Sequence, residues 1–124
     1  MTQKKEIYKC NFCGNVVEVL HSGVGELVCC GQPMEKMNAK SQDEGLEKHL
    51  PVAEANGQKT KVKVGAVPHP MIAEHFIEWI EIETANGCLR KFLKPGDAPE
   101  AEFEISEANF QARAYCNVHG LWKK

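Results

Sequence analysis

Phe110-Gln111-Ala112-Arg113-Ala114-Tyr115-Cys116-Asn117-Val118-His119 is the stretch on which the reading of this chain turns. Its first seven residues alternate, and side chains along a strand point to opposite faces in turn, so Phe110, Ala112, Ala114 and Cys116 share one face. That puts the Cys116 sulfur on the buried side at a sheet end, shielded from bulk water. His119 follows three residues later, and a turn at Gly120 would bring its imidazole back toward the sulfur. A lone strand cysteine is ordinarily a small buried hydrophobe. Cys-x2-His is also a ligand spacing, and His49, His69 and His75 are further donors in need of a partner.

Upstream of this strand the pattern is again β. Thr60-Lys61-Val62-Lys63-Val64 and Ala101-Glu102-Phe103-Glu104-Ile105 alternate, while Asn56-Gly57, Asn86-Gly87 and Pro95-Gly96 mark reversals. The run from Phe76 to Glu83, with Trp79, Ile80 and Ile82, is rich in β-formers but does not alternate cleanly. Short strands at this spacing predict an antiparallel sandwich over residues 38–124. Residues 38–45 are polar and read as a linker, in which Ser41 and Glu44 could cap a short helical turn. Residues 1–37 form a separate small unit, with Tyr8-Lys9-Cys10-Asn11-Phe12-Cys13-Gly14 as a knuckle and Val16-Val17-Glu18-Val19-Leu20 as a strand.

A chain of 124 residues, 43% hydrophobic, can bury one moderate core and carry a small satellite stapled by a metal. The formal charge of -2 supplies no basic field for nucleic acid. There is no apolar run long enough for a membrane span or a signal peptide, which predicts a soluble cytoplasmic protein. In that compartment six cysteines favour metal ligation over a disulfide framework. Adjacent Cys29 and Cys30 would in any case make a strained bridge with each other.

The donors fall into two groups of different softness. Cys10, Cys13, Cys29 and Cys30 make an all-sulfur site. Gly14 permits the close backbone approach of a Cys-x2-Cys knuckle, and the adjacent pair requires a local bend and a distorted tetrahedron. Zinc and a single iron both suit four thiolates. His49, His69, His75, His119 and Cys116 make five donors, more than tetrahedral structural zinc accepts. On an octahedral ion they leave one position for a reactant, and iron is the leading candidate by analogy with haem and non-haem sites. Pro68 and Pro70 stiffen the loop around His69. Glu47 and Lys48 precede His49. If His49 is a ligand, both charges lie beside the reacting position, Lys48 to attract an anion and help deliver protons and Glu47 to occupy the position after oxidation. His21 is expected at the surface and Cys88 as a free thiol without a ligand partner.

These segments, together with Glu26-Leu27-Val28-Cys29-Cys30, His69-Pro70-Met71, Phe92-Leu93-Lys94-Pro95-Gly96 and Tyr115-Cys116-Asn117-Val118-His119-Gly120-Leu121-Trp122, resemble the desulfoferrodoxins, the two-iron class of superoxide reductases, over essentially the whole chain. The resemblance implies a mainly β protein in which residues 1–37 are a desulforedoxin-like domain with an iron on Cys10, Cys13, Cys29 and Cys30. Residues 38–124 would be an immunoglobulin-like β-sandwich with the catalytic iron on His49, His69, His75, His119 and Cys116. It further implies one-electron reduction of superoxide to hydrogen peroxide, with Lys48 drawing superoxide and Glu47 ligating the resting ferric iron. A homodimer, a cytoplasmic location and rubredoxin or a similar electron donor belong to the same expectation. Two competing readings make the chain a plain electron carrier built on the four-cysteine iron, or a zinc-knuckle binding module.

Overall fold

The computed structural model describes residues 1–41, 49–65, 67–105 and 109–124. Within them the chain is all β, and it divides into two compact units, Met1–Asn38 and Ala39–Lys124. The first unit is built from five short strands: β1 (Ile7–Lys9), β2 (Val16–Glu18), β3 (Val28–Cys29), β4 (Gln32–Pro33) and β5 (Glu35–Met37). β1 lies between β2 and β5 in an antiparallel sheet, and β3 pairs with β4 as a separate ribbon. Ile7, Cys10 and Val19 are its buried hydrophobic residues. So small a core is marginal by itself, which is why a metal staple matters here. The strand expected over Val16–Leu20 is shorter and ends at Glu18; beyond it Val19 is buried and its N–H donates to the Glu6 carbonyl at 2.9 Å, while Leu20 is exposed.

The second unit holds β6 (Pro51–Asn56), β7 (Lys59–Val64), β8 (Ile77–Thr84), β9 (Gly87–Phe92), β10 (Glu100–Phe103), β11 (Gln111–Cys116) and β12 (Gly120–Lys123). Two antiparallel sheets result, ordered β10-β7-β6 and β12-β11-β8-β9. Alternation decides what each strand buries. Val62 and Val64 of β7 and Ala101 and Phe103 of β10 face Ile80 and Ile82 of β8 and Ala112, Ala114 and Cys116 of β11 in one core. On the outer side of β7, Lys59 and Lys61 pair with Glu102 and Glu100.

The missing alternation between Phe76 and Glu83 has a specific cause. In the β8–β11 ladder Trp79 pairs with Tyr115 and Ile77 with Cys116, so Glu78 is an extra residue and the register shifts there. A bulge of this kind flips the side-chain parity. Ile77 therefore joins Ile80 and Ile82 in the core despite its odd spacing, while Trp79 stacks on Tyr115 across the opposite face at 5.6 Å. On that face Glu81, fully buried, receives Arg90 at 2.9 Å and Arg113 at 3.1 Å. Cys88 is exposed, and its thiol donates to the same carboxylate at 3.2 Å.

Candidate metal centres

The first centre is made by two turns. In the knuckle, the backbone N–H of Gly14 donates to the Cys10 carbonyl at 3.0 Å and that of Cys13 to the Cys10 sulfur at 3.5 Å, with Gly14 at a φ of 85°. The adjacent cysteines are reconciled by the β3–β4 hairpin. Its two loop residues, Cys30 and Gly31, have φ of 53° and 73°, the pair of positive values a tight two-residue hairpin requires. Ligand atoms of Cys10, Cys13, Cys29 and Cys30 all lie within 4.8 Å of one another. Cys13 and Cys29 sulfurs are 3.5 Å apart and those of Cys29 and Cys30 4.0 Å. A tetrahedron with metal–sulfur bonds of about 2.3 Å has edges of about 3.8 Å, so the set has the right size.

Its electrostatics point the same way. Backbone N–H groups of Cys13 and Phe12 lower the Cys10 thiol to about 6, whereas hydrogen bonding to Cys13, Cys10 and Cys29 raises the Cys30 thiol to about 12. Sulfurs this close cannot all ionise together unless a cation balances them.

At the second centre four imidazoles form a ring. Centroid separations run 4.8 Å from His49 to His69, 4.7 Å to His75, 5.0 Å to His119 and 4.6 Å back to His49. The His49–His75 diagonal is 6.4 Å, longer than every edge. Cys116 closes the set from the end of β11: its sulfur is fully buried, accepts the His119 backbone N–H at 3.4 Å and lies 3.8 Å from His119 Nδ1. Ligand atoms of His49, His75, Cys116 and His119 fall within 4.8 Å of one another. His49 Nε2 and His119 Nδ1 are 3.0 Å apart, about the distance between two nitrogens at right angles on one ion with bonds of about 2.1 Å.

His69 joins the ring through its neighbours and not through that tighter cluster. Its Nδ1 sits 2.7 Å from the Pro70 carbonyl and so carries the proton, which leaves Nε2 as a lone pair. Nε2 is buried and, among the described residues, has no hydrogen-bond partner. A buried acceptor left so is costly unless an ion takes it, and a backbone carbonyl on the other nitrogen is the usual support for a metal-bound histidine. Burial holds the His69 imidazole down to about 4, despite the opposing pull of the Pro70 carbonyl, so the ring stays neutral and able to ligate near neutral pH. Burial pushes the Cys116 thiol up, and the N–H groups of His119 and Val118 work against that rise. A bound cation would reverse the balance and ionise the sulfur outright.

Support for these donors comes partly from residues whose roles no spacing reveals. Trp122 of β12 stacks on His49 at 4.5 Å and 14°, and the Lys40 ammonium lies 5.1 Å from the centre of the indole. Lys40 also donates to the His119 carbonyl at 3.1 Å. In the sequence Trp122 stood out only as the last residue of the Tyr115–Trp122 segment that carries the family resemblance, with nothing to pair it with His49. Glu47 and Lys48 lie outside the described residues. His21 is exposed and its Nδ1 contacts the Ser22 carbonyl, apart from either cluster.

Comparison with known proteins identifies the family. The desulfoferrodoxin family model matches residues 41–124, and that of the desulfoferrodoxin N-terminal domain matches residues 2–37. A desulfoferrodoxin homolog of Archaeoglobus fulgidus is 58% identical over 124 residues, covering 99% of this chain and 98% of its own. The desulfoferrodoxin of Nitratidesulfovibrio vulgaris is 55% identical over 123 residues, covering 99% and 98%. Among solved structures, the superoxide reductase of Treponema pallidum superposes with a TM-score of 0.80 at 29% identity, over 96% of each chain. The four-cysteine cluster and the histidine–cysteine cluster fit the two iron centres of such proteins, and the chain belongs to the desulfoferrodoxin family.

Proposed function

We propose that this protein is a superoxide reductase whose second centre converts superoxide, one electron and two protons to hydrogen peroxide. The observation that carries the reading is the ring of four imidazoles joined by one buried thiol, a donor set that exceeds what a structural zinc site uses. His49, His69, His75, His119 and Cys116 would hold the iron, which supplies the electron and a Lewis-acid centre for the reduced oxygen. Cys116 would hold the ion as an anionic thiolate, a donor that favours its oxidised state. The neutral imidazole of His69, oriented by Pro70, keeps its lone pair available without a competing proton. Lys48 would draw the anionic substrate and hold a proton-delivering water, and Glu47 would offer a carboxylate donor to the oxidised ion.

In this reading residues 1–37 form the accessory domain, whose four-cysteine iron is both staple and electron site, and residues 38–124 carry the chemistry. Rubredoxin or a similar protein returns the electron. A homodimer in the cytoplasm completes the proposal, supported by the exposed Phe12, Leu20, Val24 and Val28 of the first unit and by six cysteines without a disulfide. Metal analysis should find two irons per chain. Rapid mixing of the reduced protein with superoxide should yield one peroxide per reduced second centre and no dioxygen. Dioxygen released alongside peroxide would mean dismutation and would sink the assignment, as would zinc at the second centre of the active protein.

A further inference from the structure

His75 sits in a short turn between strands, far in sequence from Cys116 and His119, so something must hold that turn against the other two donors. Its own backbone bonds reciprocally to Ile72, N–H to carbonyl at 3.0 Å and carbonyl from N–H at 3.1 Å, which shapes the turn but does not place it. Asn117 provides the placement. Its Oδ1 accepts the Phe76 N–H at 2.9 Å, and its Nδ2 donates to the Glu74 carbonyl at 3.1 Å. The residues engaged are those on either side of His75. A third bond, from the Asn117 N–H to the Phe76 carbonyl at 3.2 Å, continues the β8–β11 ladder past the register shift.

Since Asn117 is the residue between Cys116 and Val118-His119, one side chain ties the His75 segment to the segment that carries two other donors. We propose that Asn117 is a positioning residue of the second metal centre, its amide fixing His75 relative to Cys116 and His119. A two-point amide clamp resists both sliding and rotation of the turn, which a single bond would not. Any residue but proline at 117 can supply the backbone bond, and only an amide supplies both a donor and an acceptor at this length. Residues that orient metal ligands typically cost about 10- to 100-fold in metal affinity when removed.

The inference rests on the ligand assignment proposed above, and two variants separate their failures. In the full iron-loaded chain, Cys116→Ser should abolish the visible thiolate-to-iron absorption of the second centre; if that band survives, the ligand assignment is what fails. With the band assigned, Asn117→Ala should move it and should lower second-site iron affinity in chelator competition by about 10-fold or more, with the four-cysteine iron retained. An unmoved band with affinity within about twofold of the parent overturns the role. Should Asn117→Ala lose both irons through misfolding, Asn117→Asp decides. It keeps an acceptor for Phe76 and loses the donor to Glu74, so a selective several-fold loss at the second site supports the clamp, and parent-like affinity refutes it.

Discussion

At the scale of single residues, His69 shows how burial prepares a ligand. Its imidazole is held near 4, below the ordinary 6.5, so as pH falls the unfolded chain takes up this proton before the folded chain does. Stability tied to neutral His69 is thus whole above about pH 6.5 and is lost progressively down to about pH 4. In the metal-free protein, denaturant midpoints across that range should fall more steeply for the parent than for His69→Gln. Equal slopes would show that His69 is not held neutral by the fold. Pro68 and Pro70 signalled a stiff loop in the sequence, but the carbonyl of Pro70 as partner to Nδ1 emerges only in space.

At the scale of elements, the β3–β4 hairpin and the outer face of β8 each make a commitment that can be measured. The hairpin loop already holds Cys30 at a φ of 53°, and Gly31 beside it, at 73°, has open space around the position of an added Cβ. Gly31→Ala should therefore cost only the left-handed backbone penalty, about 1 kcal/mol, and should quicken chelator removal of the first metal while leaving the second in place. Unchanged removal kinetics would mean that the loop tolerates the strain. On β8, burial pushes the Glu81 carboxyl up, but Arg113 and Arg90 more than offset this and hold it below the ordinary carboxylate range. Its contribution is present above the unfolded value and lost as pH falls through the lowered folded value. Glu81→Ala leaves the buried Arg113 without that partner and should destabilise the second unit by about 3–5 kcal/mol, read from urea unfolding. A loss under about 1 kcal/mol would show that Glu83, which pairs with Arg113 at 2.7 Å, compensates.

On the whole-molecule scale the chain joins two units, each with its own core and donor set. Cys13→Ser should then remove or weaken the first iron and leave the second, so that metal analysis falls from two irons toward one while superoxide reduction persists. Loss of both metals would show that the units do not fold independently. Among the described residues no helix is long and apolar enough to cross a membrane. Both donor sets were visible as residue types and spacings, because thiolates and imidazoles have few other reasons to recur in such numbers. Cys88 is a free cysteine as expected, and what the spacing did not reveal is its hydrogen bond to the fully buried Glu81 carboxylate on the neighbouring strand.

The sequence by itself determined the β character and supplied the candidate donors, since alternation, turn residues and ligand spacing are local properties. It also predicted the burial of Cys116, because parity along one strand suffices. The tertiary structure decided what depends on residues far apart meeting. The extra residue at Glu78 resets the register that brings Ile77 opposite Cys116. Trp122 reaches His49 across the second unit, and Asn117 clasps the peptides around His75. A metal centre needs its donors placed to within a few tenths of an ångström. Composition supplies the donors, and only packing and hydrogen bonding between distant segments supply that placement.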